Sequence, residues 1–358
     1  PGEALVETLR YPVERVDYLL ADGAGLALVT PHLPGPVREA LADPRLKVVH
    51  DDARHWLRTR PGPYDTIIMN LPEPSTALFN RFYTRRFFRL AREALASGGT
   101  FFVTMNVAPN SGDDARERRN RSVYRALQGA FGEVAVVAGE AALLAARAGG
   151  HAPSRQEIEA AARNAPPVSE AARAEVLLSL VDPGRRDSLA ASLRTPEREN
   201  TDHRPAAYFY HFLYWGSLSD PAAAPWLEIA SGRLRLAPLL LPVALLAAGG
   251  AGAAGRRRWS APSLAACTTG LSSMALFGLL IFSYQTTQGQ LYRNIGLLTA
   301  FFMAGTAGGG FSALAASSRG RPPLRLLTRA EALFFLWCPV LGGALAAAAS
   351  WPLQGPPA

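Results

Sequence analysis

Near Arg235 the chain changes the solvent it is written for. Beyond that point lie four apolar runs, residues 234–254, 263–284, 294–316 and 331–350, each near the ~20 residues that a helix needs to span about 30 Å of hydrocarbon. All six histidines and nearly all carboxylates precede Arg235, and the arginines that follow it sit in short gaps between the runs. Such punctuation is typical of membrane-spanning segments. The rival reading, buried helices of a soluble core, needs an unusually large apolar interior. Glycine and alanine are frequent in the runs, as in residues 304–310 (AGTAGGG), and small side chains let helices approach closely. The expectation is an all-α transmembrane bundle of about four helices at 234–350, which makes the lipid bilayer a partner.

The net charge of +8 does not argue for nucleic acid, because acids are interspersed through the first part and the later arginines flank apolar runs. Cys267 and Cys338, the two cysteines, lie inside those runs, so no disulfide framework or zinc site is indicated. His50 and His55 flank a strand and a helix start, His203 and His211 sit eight apart without a cysteine or acid at ligand spacing, and no metal is expected. The opening Pro1-Gly2-Glu3 reads as the middle of a motif, so the sequence is expected to be a fragment.

Before Arg235 the pattern is that of alternating strands and helices. Residues 16–20 (VDYLL), 46–50 (LKVVH), 64–69 (YDTIIM), 100–103 and 134–137 (VAVV) read as strands. Residues 82–95 and 122–131 have helical spacing, and Ser97-Gly98-Gly99 is a stop signal. This alternation predicts an α/β, Rossmann-like doubly wound sheet at 1–145. Residues 146–233 read as a helical extension leading to a membrane-proximal segment. There Asp202 and Arg204 are expected to pair, and the aromatics of 208–215 to form an interfacial belt.

Ligands of doubly wound sheets bind at the carboxyl ends of the strands. Asp22, Asp51-Asp52, and Asn70 with Glu73 each follow a strand. Carboxylates in such places accept from ribose hydroxyls or an adenine amine; as structure alone, each is equally a helix cap or turn former.

The stretches DPRLKVVHDDARHWL, YDTIIMNLPEPSTALFNRFYTRRFF and LASGGTFFV resemble the spermidine synthases, or polyamine aminopropyltransferases. NTDHRPAAYFY leading into GQLYRNIGLLTAFFMAGTAGG resembles the bacterial membrane-fused branch, with its transporter-like bundle. The resemblance implies a methyltransferase-like fold and decarboxylated S-adenosylmethionine as substrate. It further implies putrescine or a similar polyamine as acceptor, and a multi-pass place in the cell (inner) membrane. An oligomer is compatible with it. Asp22, Asp52 and Ala53 match cofactor-binding positions, Glu73 and Tyr83 the polyamine site, and Asn70 with Glu73 the catalytic D-x-x-D-P pattern. The opening PGEALVETLRYP corresponds to the tail of the family's glycine-rich first loop.

Two positions depart from the family. Asn70 is an amide where an aspartate serves as base, and an amide accepts no proton at physiological pH. Leu20 stands where a glutamate grips the ribose. Three alternatives stand beside it: a catalytically impaired adenosyl- or polyamine-binding sensor or transporter-associated module, a relative of the Asn-Pro-Pro-aromatic motif of amino-methyltransferases, and a plain Asn-Pro turn. Arginine clusters at 256–258 and 319–329 predict cytoplasmic gaps, which conflicts with a cytosolic cofactor if 234–254 crosses; the side of the soluble domain stays open.

Overall fold

A computed structural model describes residues 2–20, 23–59, 62–107, 114–139, 141–166, 168, 178, 183–219, 261–288, 292–320 and 322–350. It divides into two compact units, Pro1–Leu218 and Ser219–Ala358. The α/β unit thus takes in residues 146–218, which the sequence pattern sets apart.

In that unit α1 (Glu3–Leu9) precedes β1 (Val16–Leu19); α2 (Gly23–Val29) and α3 (Gly35–Leu41) lead to β2 (Leu46–Val49), and α4 (Ala53–Thr59) to β3 (Tyr64–Met69). After α5 (Ala77–Asn80) and a 3-10 turn (Arg81–Tyr83) come α6 (Arg85–Ala94), β4 (Leu95–Asn106), α7 (Asp114–Phe131), β5 (Ala135–Ala138) and β6 (Ala141–Arg147). Among the described residues three more helices follow, α8 (Arg155–Asn164), α9 (Pro183–Arg194) and α10 (Ala206–Ser219).

The core forms where helix and strand periods agree. Along β4 the alternate residues Phe101, Val103 and Met105 are buried, and on α6 Phe87, Phe88, Ala91 and Ala94 form one apolar face. Phe88 meets Phe101 edge-on at 5.6 Å between centroids, and Phe101 stacks on Phe131 at 5.7 Å. β4 begins five residues earlier than its apolar run suggests, because Gly98 (φ +80°) bends the chain within the strand rather than ending a helix. β6 has no strand signature at all. It is a run of Ala and Leu, and pairing with two neighbours overrides its helical preference.

The expected sheet is present in two pieces. β1 and β2 pair in parallel, Val16 opposite Leu46; separately, β3 pairs in parallel with β4, and β6 runs antiparallel between β4 and β5. A cavity of about 760 Å³ separates the pieces, lined by Val16, Asp17 and Tyr18 on one side and by Tyr64, Thr66 and Ile68 on the other. Side chains bridge it instead of a backbone ladder. Trp56 Nε1 donates to the Tyr64 hydroxyl (2.8 Å), which donates to Asp17 Oδ2 (2.9 Å).

The NTDHRP segment folds back into the α/β unit. Asp202 pairs with Arg54, not with Arg204: Arg54 Nη2 lies 2.6 Å from Asp202 Oδ1, and the Thr84 hydroxyl donates to that oxygen at 2.7 Å. This also explains why Thr84, the N-cap of α6, makes no side-chain capping bond. The aromatics read as a membrane belt lie on a helix that is partly packed into the fold. Ala207, Tyr210, His211 and Leu213 are buried, and the Tyr210 hydroxyl bonds Glu197 at 2.7 Å; only Phe212 and Trp215 stand out of the fold.

The second unit holds α11 (Ala261–Gln288), α12 (Tyr292–Ser318) and α13 (Pro323–Ser350). By length and composition one segment among the described residues, Gly296–Ser318, is able to cross a membrane; Thr269–Phe282 is a shorter apolar stretch, and the run 234–254 lies outside the described residues. Phe277 stacks on Phe302, and the Thr269 hydroxyl donates to Glu331.

Candidate active site

The residues singled out by sequence lie where a doubly wound sheet puts its ligands. Asp52 and Ala53 follow β2, Asn70 and Glu73 follow β3, and Asp22 lies outside the described residues. One 3-10 turn ties the two strand ends together. From it Arg81 Nη2 reaches Asp52 Oδ1 at 2.8 Å, while the Tyr83 hydroxyl donates to the carbonyls of Leu71 (3.1 Å) and Pro72 (2.9 Å). Tyr83 therefore clamps the loop that carries Asn70 and Glu73. Burial, and next the nearby Glu73, push its phenol pKa up, so it stays a donor.

Asp52 is the N-cap of α4. Its Oδ1 accepts from the backbone of Arg54 (3.0 Å) and His55 (3.2 Å) as well as from Arg81, so these bonds leave Oδ2 for any other partner. Behind it, burial lowers the Arg81 pKa to about 10 despite Asp52, and that guanidinium remains cationic. Ala53 opens α4 and packs on the core. Asn70 is exposed at the rim of the cavity between β1 and β3.

Glu73 is not a free carboxylate. Arg119 of α7 grips it with both arms, Nη1 to Oε2 at 2.7 Å and Nη2 to Oε1 at 3.0 Å. Arg119 is fixed in turn by the Asn120 side-chain oxygen (3.1 Å) and the Asn106 carbonyl (3.4 Å). His211 Nδ1 lies 3.4 Å from Arg119 and 3.9 Å from Glu73. Burial first, then Arg119, lower the His211 pKa from 6.5, so the ring is neutral at physiological pH. Sequence reasoning misses Arg119 because it sits in RERRNR, which looks like a solvated charge run. A hint lies in the spacing, since Val123, Leu127 and Ala130 continue the same helical face inward. Among the described residues no group of His, Cys, Asp and Glu is arranged to hold a metal.

Residues 1–114 match the family model of the spermine/spermidine synthase domain, a stretch that holds Asp52, Asn70, Glu73 and Tyr83. Curated relatives are polyamine aminopropyltransferases. Polyamine aminopropyltransferase 2 of Streptomyces coelicolor is 40% identical over 107 residues, 28% of this chain and 19% of that protein. The polyamine aminopropyltransferase of Korarchaeum cryptofilum is 29% identical over 135 residues, 38% of this chain and 40% of that protein. The chain therefore spans less than half the length of these relatives. A crystal structure of spermidine synthase in complex with the transition state analogue AdoDATO has a TM-score of 0.45 and 18% identity, covering 54% of this chain and 66% of that one. Arg119 and His211 lie beyond the matched residues.

Proposed function

We propose that the α/β unit binds decarboxylated S-adenosylmethionine and passes its aminopropyl group to a primary amine, as a membrane-bound, spermidine-synthase-like transferase. The observation that carries this reading is the domain match over the residues at the ends of β2 and β3, which the Arg81–Tyr83 turn binds into one site. In the reaction, the amine lone pair forms a bond to the propyl carbon beside the sulfonium, the C–S bond breaks, and neutral methylthioadenosine leaves. The ammonium acceptor first gives up a proton. Asp52 Oδ2 serves adenosine recognition, Tyr83 holds the loop, and Asn70 with Glu73 faces the amine. Putrescine is the acceptor that the resemblance implies. The apolar helices of the second unit support a multi-pass place in the inner membrane.

Asn70 carries no basic oxygen, so the proton passes to water and the reaction is slow. Replacing it by a carboxylate of nearly the same size restores a general base, a group that contributes about 10²–10⁴-fold. Incubating the full chain with decarboxylated S-adenosylmethionine and putrescine tests the reading; release of methylthioadenosine together with an aminopropylated amine is expected, rising at least about tenfold in Asn70→Asp. A second reading, a nucleoside or polyamine sensor, draws on the engagement of both Glu73 oxygens by Arg119. Tight nucleoside binding with no transfer by either protein selects it.

A further inference from the structure

We propose that Arg119 sets the charge of the acceptor: by occupying Glu73 it removes the ammonium site, and the site takes a monoamine as readily as a diamine. The proposal rests on the transferase reading of this site. An ordinary diamine carries two ammonium groups; one must become the neutral nucleophile while the other needs a carboxylate to hold it. Glu73 is the carboxylate on the loop after β3 that stands ready for that task, and both of its oxygens face a guanidinium.

That guanidinium does not step aside. The Arg119 side chain is 3% exposed, and besides Glu73 it is held by Asn120 and the Asn106 carbonyl. An ammonium entering the site has to strip a buried cation of its counter-charge, and an uncompensated buried charge is strongly unfavourable. Bidentate pairing adds to this, because a fork-shaped donor matched to two oxygens is harder to displace than a point charge. His211, neutral beside the pair, brings no negative charge to compensate. Glu73 and Arg119 together present no net charge to the acceptor. A second positive charge on the acceptor thus gains nothing here.

Putrescine and n-butylamine have the same carbon chain and differ by that second ammonium, which makes them the probes. Each is titrated calorimetrically into the detergent-solubilised full chain, with and without saturating methylthioadenosine. The wild type is expected to bind the two within about threefold, since an available charged hydrogen bond would separate them by roughly tenfold or more. Arg119→Gln frees Glu73 and raises the preference for putrescine at least about tenfold, while the double variant Arg119→Gln/Glu73→Gln loses that gain. Arg119→Lys, which preserves the charge and fold but holds one oxygen at a time, falls between. A purely structural arginine would weaken both amines alike and leave their ratio unmoved. A wild type that already prefers putrescine more than about tenfold, or an Arg119→Gln ratio equal to the wild-type one, overturns the proposal. Absence of methylthioadenosine binding sinks the transferase reading instead; the amine ratio without nucleoside still judges Arg119.

Discussion

The two units spend their large apolar side chains in opposite ways. In the α/β unit Phe88, Phe101, Leu127 and Leu144 are completely buried, and the charged groups near them are tied into pairs such as Arg54–Asp202 and Arg119–Glu73. In the helical unit no described side chain is buried: Phe301, Met303, Phe311, Leu314, Leu336 and Trp337 are all more than half exposed. Large apolar side chains exposed in this number mark a surface that some other medium or chain would cover. The first unit carries its own apolar medium inside. The second leaves its described apolar side chains uncovered, and one segment of it, Gly296–Ser318, is long and apolar enough to cross a membrane.

The contrast breaks most easily at the level of the whole chain. Expressed in bacteria, the protein should stay with the membrane pellet through high salt and alkaline carbonate and come into solution with detergent. Recovery in the carbonate supernatant would show that the exposed helices find cover elsewhere. Next in size is a paired truncation. Phe101→Ala, at the centre of the aromatic stack, should cost about 3–5 kcal/mol, and Phe301→Ala, on an outward face, under about 0.5 kcal/mol, read by denaturant unfolding in detergent. Equal losses would erase the distinction.

A third test concerns the buried pairs. Asp202→Asn leaves Arg54 without its counter-charge and should lower stability by about 3 kcal/mol. Burial pushes the Asp202 carboxyl up, but the hydrogen bond and charge of Arg54, aided by Thr84, outweigh it, and the net pKa lies below 3.8. A lowered folded pKa contributes stability above the unfolded value that is lost as pH falls through the folded one. The wild type should therefore lose stability below about pH 4 more steeply than Asp202→Asn, as followed by urea midpoints across pH. A last substitution, Thr269→Val, removes the donor to Glu331 between two helices and should cost about 1 kcal/mol in detergent.

How much of this was legible depended on what each residue's neighbours in sequence could report. Residues 64–69 are β-branched and apolar, and their strand is where the pattern puts it. Ala141–Arg147 shows no such pattern, since its strand state comes from β4 and β5 on either side. At the site, Asn70, Glu73, Asp52 and Tyr83 were readable because they follow strands or match a motif. Their partners were not. Arg119, Arg81 and Asp202 act across 46, 29 and 148 residues of sequence, on Glu73, Asp52 and Arg54, distances over which no local pattern carries information. The aromatic segment after Pro205 reads two ways for a related reason: amphipathic rings suit a membrane interface and a half-buried helix equally.

The division of the sheet decides how the α/β unit comes apart. β4 shares backbone bonds with β3 on one edge and β6 on the other, so exposing its amides means breaking two ladders at once. Among the described residues β1 pairs on one edge, with β2, and the relay of Asp17, Tyr64 and Trp56 is its polar link to β3. Below it the small cluster of Leu5, Leu9 and Ala40 is separate from the main core. Leu19 and Val49 still reach the main core, so β1 and β2 open at a free energy set by those contacts and the polar relay rather than by a second ladder. In hydrogen exchange, the amides of β1 and β2 are expected to exchange before those of β4 and β6, which places Asp52 at the border of the earlier-opening part.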